Sequence, residues 1–569
     1  MLTAYLVVAI TAIGVLIVHA CIRFLNNLRE AQRSRLPYTW SLVSEHDPFA
    51  WVTNTLLRWW YKEYLHKGEG WPRWARFMII DWQYEDRRRA TLEFGDCFLL
   101  VTPSRLICYV SDPDMVSQLF MRRKAVIKPP EKMKILAPFG RNISMAEGDL
   151  WKFHLGIMLP PLGADSVAQL VWDETSRQVD MTMATWKPGS SNKERIYSLT
   201  MNTMLLVGFG RQAQGDSENQ PSKLSGAHQY SLVDAMTNVT MYLPHILLLP
   251  RWLLRWSPWP IAYQCANEVD SYIDELVAEA QEKLLEDSTE AQRETLITAI
   301  LRSNMAAEND KKHIESIGRS TLTNEEIRGN AYIFLIAGYD TTANTTLFTM
   351  LVLIAHKELQ ERLIEEIDTV YAQAAKEGRL NLSHAEDFPR FRYLVAFMYE
   401  VMRIFPIVPT LARVAFEPQQ LSGYTLPGKT SYITNTPAIH YDPSVWPSPE
   451  IIEPRRWLVA DPHSFDPCKP LTAAQETEIR NGTTAIPGNR KGTFLTFGEG
   501  PRACLGRSFA RVEYVSLISR LLRRHRLEIA DNDVTKAARV LRTALLRSGD
   551  SPVTLTPPED IPVRLIPRE

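Results

Sequence analysis

The chain has 569 residues, of which 45% are apolar, so it is long enough to bury a large core. Its 64 lysine and arginine residues nearly balance its 65 aspartate and glutamate residues, and this charge gives no sign of the basic surface that nucleic-acid binding needs. Its six cysteines form no C-x-x-C pair, which argues against a structural zinc site.

The N-terminal segment, residues 1–22, carries no charged side chain and has the composition of one apolar helix. At 1.5 Å per residue that helix is about 33 Å long, enough to cross a bilayer. A secretory signal is the alternative, but the segment lacks a basic start and a clear cleavage site. Arginines follow, which indicates that the remaining chain stays cytoplasmic. We predict a transmembrane anchor at 1–22, a basic linker at 23–45 and a folded domain at 46–569.

Helical patterns dominate the domain, and no repeat or flexible linker divides it. Apolar residues recur at three- and four-residue spacing in 269–285 and 358–378, which predicts amphipathic helices, the second ending at Gly378. Short apolar segments bounded by turn residues predict strands at 97–102, 105–111, 431–436 and 561–567. The pattern predicts a mainly α fold with a small β-rich subdomain.

Residues 242–261 place three tryptophans in an apolar, proline-broken stretch. One interpretation is a buried loop. The other is a second contact with the membrane, because tryptophan and arginine favour the interface between lipid and water.

A long helix is predicted to begin at the capping box formed by Thr323 and Glu326. Its first part is apolar nearly all round, so it should cross the core. In its middle stands the polar segment 337–342, "AGYDTT", which is either a polar kink or a functional site. Ala337 and Thr341 are four residues apart, so both can face one ligand.

A second helix, within residues 390–406, carries Glu400 and Arg403 on one face of an otherwise apolar pattern. Many surface helices carry such pairs. Here the apolar surroundings predict burial, and a buried charge pair requires further polar partners.

Near the C-terminal end, Cys504 stands in a loop with Gly498, Gly500 and Gly506, just before a helical pattern. The glycines allow a tight turn, and the helix N-terminus favours a thiolate. Such a cysteine can be a buried structural residue, a nucleophile or an axial metal ligand.

The spacing of Phe497, Gly500, Arg502, Cys504 and Gly506 matches F-x-x-G-x-R-x-C-x-G at every fixed position. This is the haem-binding signature of the cytochrome P450 family, which the chain resembles over essentially its whole length after the apolar start. The resemblance implies the cytochrome P450 fold and a haem b whose axial ligand is the Cys504 thiolate.

The resemblance also implies roles for other residues around the haem. Arg502, Arg413 and Trp151 would contact the propionates. The family usually has Arg or His where this chain has Leu155, and the neighbouring His154 is expected to substitute. Ala337 would lie over the haem.

Two further motifs carry over from the family. Thr341 would hold the hydrogen bond that steers protons towards dioxygen, with Asp340 as relay acid. Arg456 would complete a structural Glu–Arg–Arg cluster with Glu400 and Arg403, although the family usually has an acid at the position of Arg455.

These implications describe a haem-thiolate monooxygenase that oxidises an apolar small molecule such as a terpenoid or polyketide, and the chain resembles microsomal enzymes of fungal specialised metabolism. Such enzymes are single-pass proteins of the endoplasmic reticulum membrane with a cytoplasmic catalytic domain. The expected pocket wall includes Phe334, residues 408–411 and residues 549–553. The segment 458–495 looks longer than the family needs and is expected to be a surface loop. An isomerase or dehydratase that uses no dioxygen, and a non-enzymatic haem sensor, are the alternatives.

The chain after Cys504 is too short for a flavin domain, so electrons are expected from a separate NADPH-dependent flavoprotein reductase. Arginines in the last long helix, together with Lys152, offer either a basic docking face for it or an ordinary solvated surface. Their positions are Arg507, Arg511, Arg520, Arg523 and Arg524.

Replacing Cys504 with alanine should remove the strongly red-shifted Soret band of the reduced carbon monoxide complex, because that shift requires a thiolate opposite the gas. Difference spectra of Cys504→Ala and of the matched variant Cys468→Ala, which lies outside the motif, would test this. A Cys504→Ala protein that keeps the band would overturn the ligand assignment.

Overall fold

The computed structural model describes residues 2–47, 50–61, 70–187, 191–211, 228–286, 295–307, 318, 320–481, 491–530, 535–547, 549 and 553–568, without the side chains of residues 2–10, 13 and 286. Residues 550–552 of the expected pocket wall and residues 482–490 of the expected surface loop therefore lie outside the described residues.

Helices form most of the structure. In chain order they are α1 (Leu2–Ser34), α2 (Ala50–Trp60), α3 (Arg73–Arg76), α4 (Trp82–Asp86), α5 (Arg89–Phe94), α6 (Pro113–Met121), α7 (Pro130–Met133), α8 (Gly148–Leu162), α9 (Asp165–Ala184), α10 (Asn192–Phe209), α11 (Leu232–Met241), α12 (Leu243–Leu248), α13 (Arg251–Leu254), α14 (Pro260–Glu286), α15 (Leu296–Ala306), α16 (Asn324–Ala355), α17 (Lys357–Lys376), α18 (His384–Asp387), α19 (Arg392–Ile404), α20 (Thr436–His440), α21 (Ala473–Asn481), α22 (Arg507–Arg524) and α23 (Lys536–Leu546). Short 3-10 helices connect some of them, at Lys134–Leu136, Phe388–Arg390, Pro454–Leu458 and Gly500–Arg502.

The strands form a small β-rich part. They are β1 (Tyr38–Trp40), β2 (Cys97–Val101), β3 (Leu106–Val110), β4 (Thr410–Ala415), β5 (Gln419–Leu421), β6 (Tyr424–Leu426), β7 (Thr430–Asn435), β8 (His525–Ile529) and β9 (Val563–Pro567). The main sheet has the order β1-β2-β3-β7-β4, in which β1 runs parallel to β2 and β3 runs parallel to β7. Two antiparallel pairs, β5–β6 and β8–β9, lie outside it. The predicted mainly α fold with a small β-rich part is confirmed.

The elements predicted from local patterns are present. The four predicted strands are β2, β3, β7 and β9, and the two predicted amphipathic helices lie within α14 and α17. Gly378 follows α17 with a φ of 77°, the left-handed conformation that favours glycine after a helix. Within the described residues of the expected surface loop 458–495, α21 is an α-helix in which no residue is buried.

Helix α1 continues to Ser34, beyond the predicted anchor boundary at residue 22. Its last turns pack on the domain, where Ala31 is buried and the Asn27 side-chain amide donates to the carbonyl of Thr102 at 2.9 Å. Across the part of the chain that the structure describes, no helix combines the length and the apolar character needed to span a membrane.

Helix α16 crosses the core and positions the site. The predicted capping box is present, since the Thr323 hydroxyl accepts from the amide of Glu326 and the Glu326 carboxylate accepts from the amide of Thr323. The helix stays α-helical through residues 337–342, so the polar segment does not break it. Gly338 allows the close approach of α10, because a Cβ there would lie 2.8 Å from the sulfur of Met204.

Helix α22 brings an acid into the core beside α16. Glu513 is fully buried, and neither of its carboxylate oxygens has a hydrogen-bond partner among the described residues. Burial raises the pKa of Glu513 from its ordinary value of 4.5 to about 8, and the nearby Thr342 hydroxyl opposes this only in part. The side chain is therefore a neutral acid at neutral pH.

The folded protein keeps a proton on Glu513 in a pH range where the unfolded chain releases it, so this residue makes stability fall as pH rises from about 5 to 8. We expect the free energy of unfolding of Glu513→Gln to lack that pH dependence. Its advantage over wild type should therefore grow with pH, by on the order of 3 kcal/mol across this range. Thermal unfolding at several pH values, with the exposed Glu282→Gln as matched control, would test this. Parallel pH profiles for wild type and Glu513→Gln would contradict the buried, protonated state.

Candidate active site

A cavity with about 1680 Å³ of empty space, counted to its open mouth, lies between α16, β4 and the loop before α22. Most of the predicted site residues line it: Trp151, Ala337, Thr341, Arg413, Phe497, Gly498, Arg502, Cys504 and Gly506. Phe334, Val408 and Leu411, expected in the pocket wall, line it as well. The structure thus brings together residues that are more than 350 positions apart in the sequence.

The loop that presents Cys504 closes on itself through its backbone. The amide of Cys504 donates to the carbonyl of Phe497 at 2.8 Å, and the amide of Gly498 donates to the carbonyl of Leu495 at 2.8 Å. Gly498 and Gly500 have φ values of 68° and 69°, a conformation that L side chains rarely adopt. A Cβ on Gly500 would also lie 3.0 Å from the carbonyl oxygen of Phe120, so both geometry and space require glycine there.

Cys504 is exposed to the cavity that it lines. Burial raises the pKa of this thiol, and the Gly506 amide, Lys128 and Arg507 all act in the opposite direction. These three groups therefore favour the thiolate form, which is the form that would hold a haem iron.

One side of the cavity holds an excess of buried positive charge. Arg502 Nη2 bonds to Glu147 Oε1 at 2.7 Å, and Arg502 Nη1 is buried with no hydrogen-bond partner in the described part of the chain. Burial and the charge of Arg502 lower the pKa of Arg413 to about 10. Burial and both arginines lower the pKa of Lys128 to about 7. Glu147 is the acid that opposes these three cations.

This excess charge fits an anionic cofactor. Arg502 depresses the pKa values of both Arg413 and Lys128 and itself has an unused buried donor, so this cluster calls for negative charge from a ligand. The two propionates of a haem would supply it, and Cys504, whose thiolate would hold the iron, lines the same cavity. Lys128 was not predicted from the sequence, because it lies in a stretch with no motif and reaches the cavity only through the folding of residues 122–147.

His154 does not lie in this cluster. The expectation that it takes the place of the family's Arg or His at the position of Leu155 is therefore wrong. His154 is buried, with Nε2 3.3 Å from Glu326 Oε1 and Nδ1 3.3 Å from the amide of Asn330, so its ring joins α8 to α16. Leu155 packs partly buried against the core. Trp151, on the same helix, does line the cavity, and the Arg502 guanidinium carbon lies 4.9 Å from its ring centroid.

Thr341 and Ala337 face the cavity on the same side of α16, as their spacing predicts. The Thr341 hydroxyl donates to the carbonyl of Ala337 at 2.7 Å. Its oxygen therefore keeps lone pairs that can accept a hydrogen bond from a group in the cavity.

Asp340 lies on a different side of α16 and is not among the described residues that line the cavity. Its carboxylate is buried, with Oδ1 accepting from the Tyr197 hydroxyl at 3.1 Å and Oδ2 accepting from the Thr554 hydroxyl at 2.6 Å. Burial raises the pKa of Asp340, while these two hydroxyls and the charge of Lys193 act to lower it.

Glu400, Arg403 and Arg456 form one fully buried cluster. Arg403 bonds to both oxygens of Glu400, at 2.8 and 2.9 Å, and Arg456 Nε bonds to Oε1 at 3.1 Å. The indole of Trp457 donates to Oε2 at 3.0 Å. Burial alone would raise the pKa of Glu400, but the two arginines outweigh it and lower the pKa to about 2. The non-acidic Arg455 bonds to Glu453 at 2.6 Å and leaves the cluster intact.

The cluster is connected to the cysteine loop. His440 Nδ1 donates to the carbonyl of Arg403 at 3.0 Å, and its Nε2 accepts from the amide of Leu495 at 3.2 Å. The Thr496 hydroxyl donates to the carbonyl of Met402 at 3.2 Å. His440 was not predicted from the sequence, because a lone histidine 64 residues before Cys504 has no local signal.

Comparisons with known proteins agree with this geometry. The family model named Cytochrome P450 matches residues 82–547. Cytochrome P450 monooxygenase ORF6 of Penicillium roqueforti is 32% identical, over 96% of this chain and 95% of that protein. Cytochrome P450 monooxygenase prx9 of Penicillium rubens is 31% identical, over the same shares of the two chains.

The fold is also that of a solved structure, a zebra fish cytochrome P450 with abiraterone. It superposes with a TM-score of 0.62 at 22% identity, over 85% of this chain and 100% of that one. The matched model spans most of the chain, and one cavity holds both the Cys504 thiol and a group of cations that fits an acidic cofactor. This chain therefore belongs to the cytochrome P450 family and is a haem-thiolate monooxygenase.

Proposed function

We propose that the protein uses dioxygen, and electrons from a separate NADPH-dependent flavoprotein reductase, to hydroxylate an apolar small molecule. The observation that supports this most is the pairing, across one cavity, of the Cys504 thiol with the Thr341 hydroxyl. Between them the wall is largely apolar, with Phe334, Ile407 and Leu411.

The bound haem supplies dioxygen activation and oxygen transfer, and the chain's own residues arrange the reactants. Arg502, Arg413 and Lys128 hold the propionates by charge. The apolar wall binds the substrate and limits water near it. Thr341 presents a hydroxyl that can carry a proton into the cavity, and Asp340 is the acid next to it in the helix.

A terpenoid or polyketide of fungal specialised metabolism is the substrate class that we propose. A wall formed mainly by aliphatic and aromatic side chains disfavours a highly charged substrate, because the cations of the cavity, Lys128, Arg413 and Arg502, are the groups assigned to the propionates. The two most similar relatives described above are both fungal.

We propose that the reductase docks near α22, although the arginines there are partly neutralised. Arg520 bonds to both oxygens of Asp180, at 2.8 and 2.6 Å, and Arg523 lies 2.7 Å from Asp368. Lys152 pairs with Asp149 at 2.6 Å. A docking surface at this place therefore depends on exchange of these pairs with acids of the partner.

We further propose that α1 anchors the protein in the endoplasmic reticulum membrane, with the catalytic domain in the cytoplasm. The uncharged run of residues 1–22 supports this. Residues 242–261 are buried in part, at Leu243, Ile246 and Leu254, whereas Trp252 is 70% and Trp256 is 80% exposed. Exposed indoles beside Arg251 and Arg255 support a second contact with lipid headgroups.

Thr341→Val should keep substrate binding and the carbon monoxide spectrum, because the thiolate and the volume of the side chain are preserved. We expect hydrogen peroxide released per NADPH oxidised to rise several-fold, since a proton carrier is lost. Thr346→Val on the same helix is the matched control, because that hydroxyl is buried and has no partner among the described residues. Unchanged coupling in Thr341→Val would remove its proton role, and turnover without NADPH in wild type would favour the isomerase alternative.

Deletion of residues 1–22 should leave haem binding intact and reduce, without abolishing, sedimentation with membranes. Adding Trp252→Ala and Trp256→Ala should then release the remainder, because the exposed indoles would carry the second contact. Leu380→Ala, at a site that is 96% exposed on another part of the surface, is the matched control. Complete release by the truncation alone would contradict the second contact.

A further inference from the structure

The Asp340 carboxylate is held on both oxygens by hydroxyls from two distant parts of the chain. Tyr197, on α10, donates to Oδ1 at 3.1 Å, and Thr554, in the segment before β9, donates to Oδ2 at 2.6 Å. We propose that Tyr197 and Thr554 are positioning residues that keep Asp340 ionised and in one orientation behind Thr341. This inference rests on the proposed monooxygenase function.

The direction of the hydrogen bonds follows from the neighbours of each hydroxyl. The side-chain amide of Asn344, one helical turn after Asp340, donates to the Thr554 oxygen at 3.1 Å. The Thr554 hydroxyl therefore accepts a hydrogen bond from Asn344 and donates its own hydrogen to the Asp340 carboxylate, which can only accept. Burial and the Asp340 charge raise the pKa of Tyr197 well above its ordinary value, so its phenol stays protonated and donates.

Ionisation matters because a relay acid must accept a proton before it can pass one on. Burial raises the pKa of Asp340, and the hydrogen bonds of Thr554 and Tyr197 and the charge of Lys193 offset this in part, which favours the ionised form. Tyr197 and Lys193 face it from α10, and Thr554 faces it from the C-terminal segment. Tyr332 and Tyr339, on α16 itself, are buried phenols whose pKa values burial and Asp340 raise, so they add no negative charge nearby.

The two hydroxyls also tie Asp340 to its surroundings. The amide of Leu555, next to Thr554, donates to the carbonyl of Ile407, which lines the cavity. On the other side, the Lys193 ammonium lies 5.6 Å from the Tyr197 ring centroid, and Lys193 lines a separate pocket with Asp560. Asp340 is thus fixed between α10 and the C-terminal segment that is hydrogen-bonded to the cavity wall.

The test is the titration of Asp340 in the full-length, haem-loaded protein, followed by infrared spectroscopy. The band to follow is the carboxyl C=O stretch that Asp340→Asn removes. Each donor stabilises the charged form, so we expect its midpoint to rise by about one pH unit in Tyr197→Phe and in Thr554→Val. Thr554→Ser, which keeps the hydroxyl, should restore the wild-type midpoint.

Two matched controls separate this effect from general disturbance of the packing. Thr200→Val removes a buried hydroxyl that bonds to the carbonyl of Tyr339 at 3.1 Å and not to Asp340. Tyr332→Phe removes a buried phenol hydroxyl that has no partner within the described residues. Both should leave the midpoint unchanged. A midpoint equal to that of wild type in both Tyr197→Phe and Thr554→Val would overturn the proposal.

A second measurement connects the titration to the reaction. With a flavoprotein reductase and NADPH, the two variants should release more hydrogen peroxide per NADPH than wild type, and raising the pH by the measured shift should reverse this. Excess peroxide that does not respond to pH would overturn the positioning role. If wild type oxidises no NADPH, the proposed function fails, whereas the titration still decides whether the hydroxyls set the charge of Asp340.

Discussion

The burial of one carboxylate, Glu400, with two arginines is the constraint on which the rest of the site depends. A buried ion cluster is stable only when all its polar atoms are satisfied, because an unpaired charge in the core costs several kcal/mol. Arg403 meets this need by donating to the carbonyls of His440 and Pro449, at 2.9 and 2.8 Å, as well as to Glu400. The path of residues 441–453, which lie between α20 and the 3-10 helix at Pro454–Leu458, is therefore held by these bonds rather than by regular secondary structure.

This constraint reaches the cysteine loop through His440. Burial and the neighbouring Arg403 lower the pKa of His440 to about 3, so its ring is neutral and can accept a hydrogen bond from Leu495 while donating one to Arg403. A charged ring could not accept that bond. The position of the thiol thus depends on a neutral histidine beside a charged arginine, and the loop glycines only make the required turn possible.

On helix α16, the residue that faces the substrate cavity and the acid proposed to supply protons lie on different sides of the helix. Consecutive residues of a helix point about 100° apart, so Thr341 faces the cavity while Asp340 faces α10 and the C-terminal segment. The acid stays out of the apolar pocket, where its charge would weaken binding of an apolar substrate. Its environment is formed by hydroxyls that hold a carboxylate without neutralising it.

The sequence by itself determined the elements that depend on neighbouring residues, such as the capping box at Thr323, the strands β2 and β3, and the loop of Cys504. Their signals are spacing and turn chemistry within a few positions, and these persist whatever the tertiary context. Only the tertiary structure decided which long-range partner each polar side chain finds. In the folded structure His154 contacts Glu326, and Lys128 lines the cavity. The tertiary structure also joined Asp340 to Thr554 across 214 positions, because burial forces each polar group to find a partner that folding brings near.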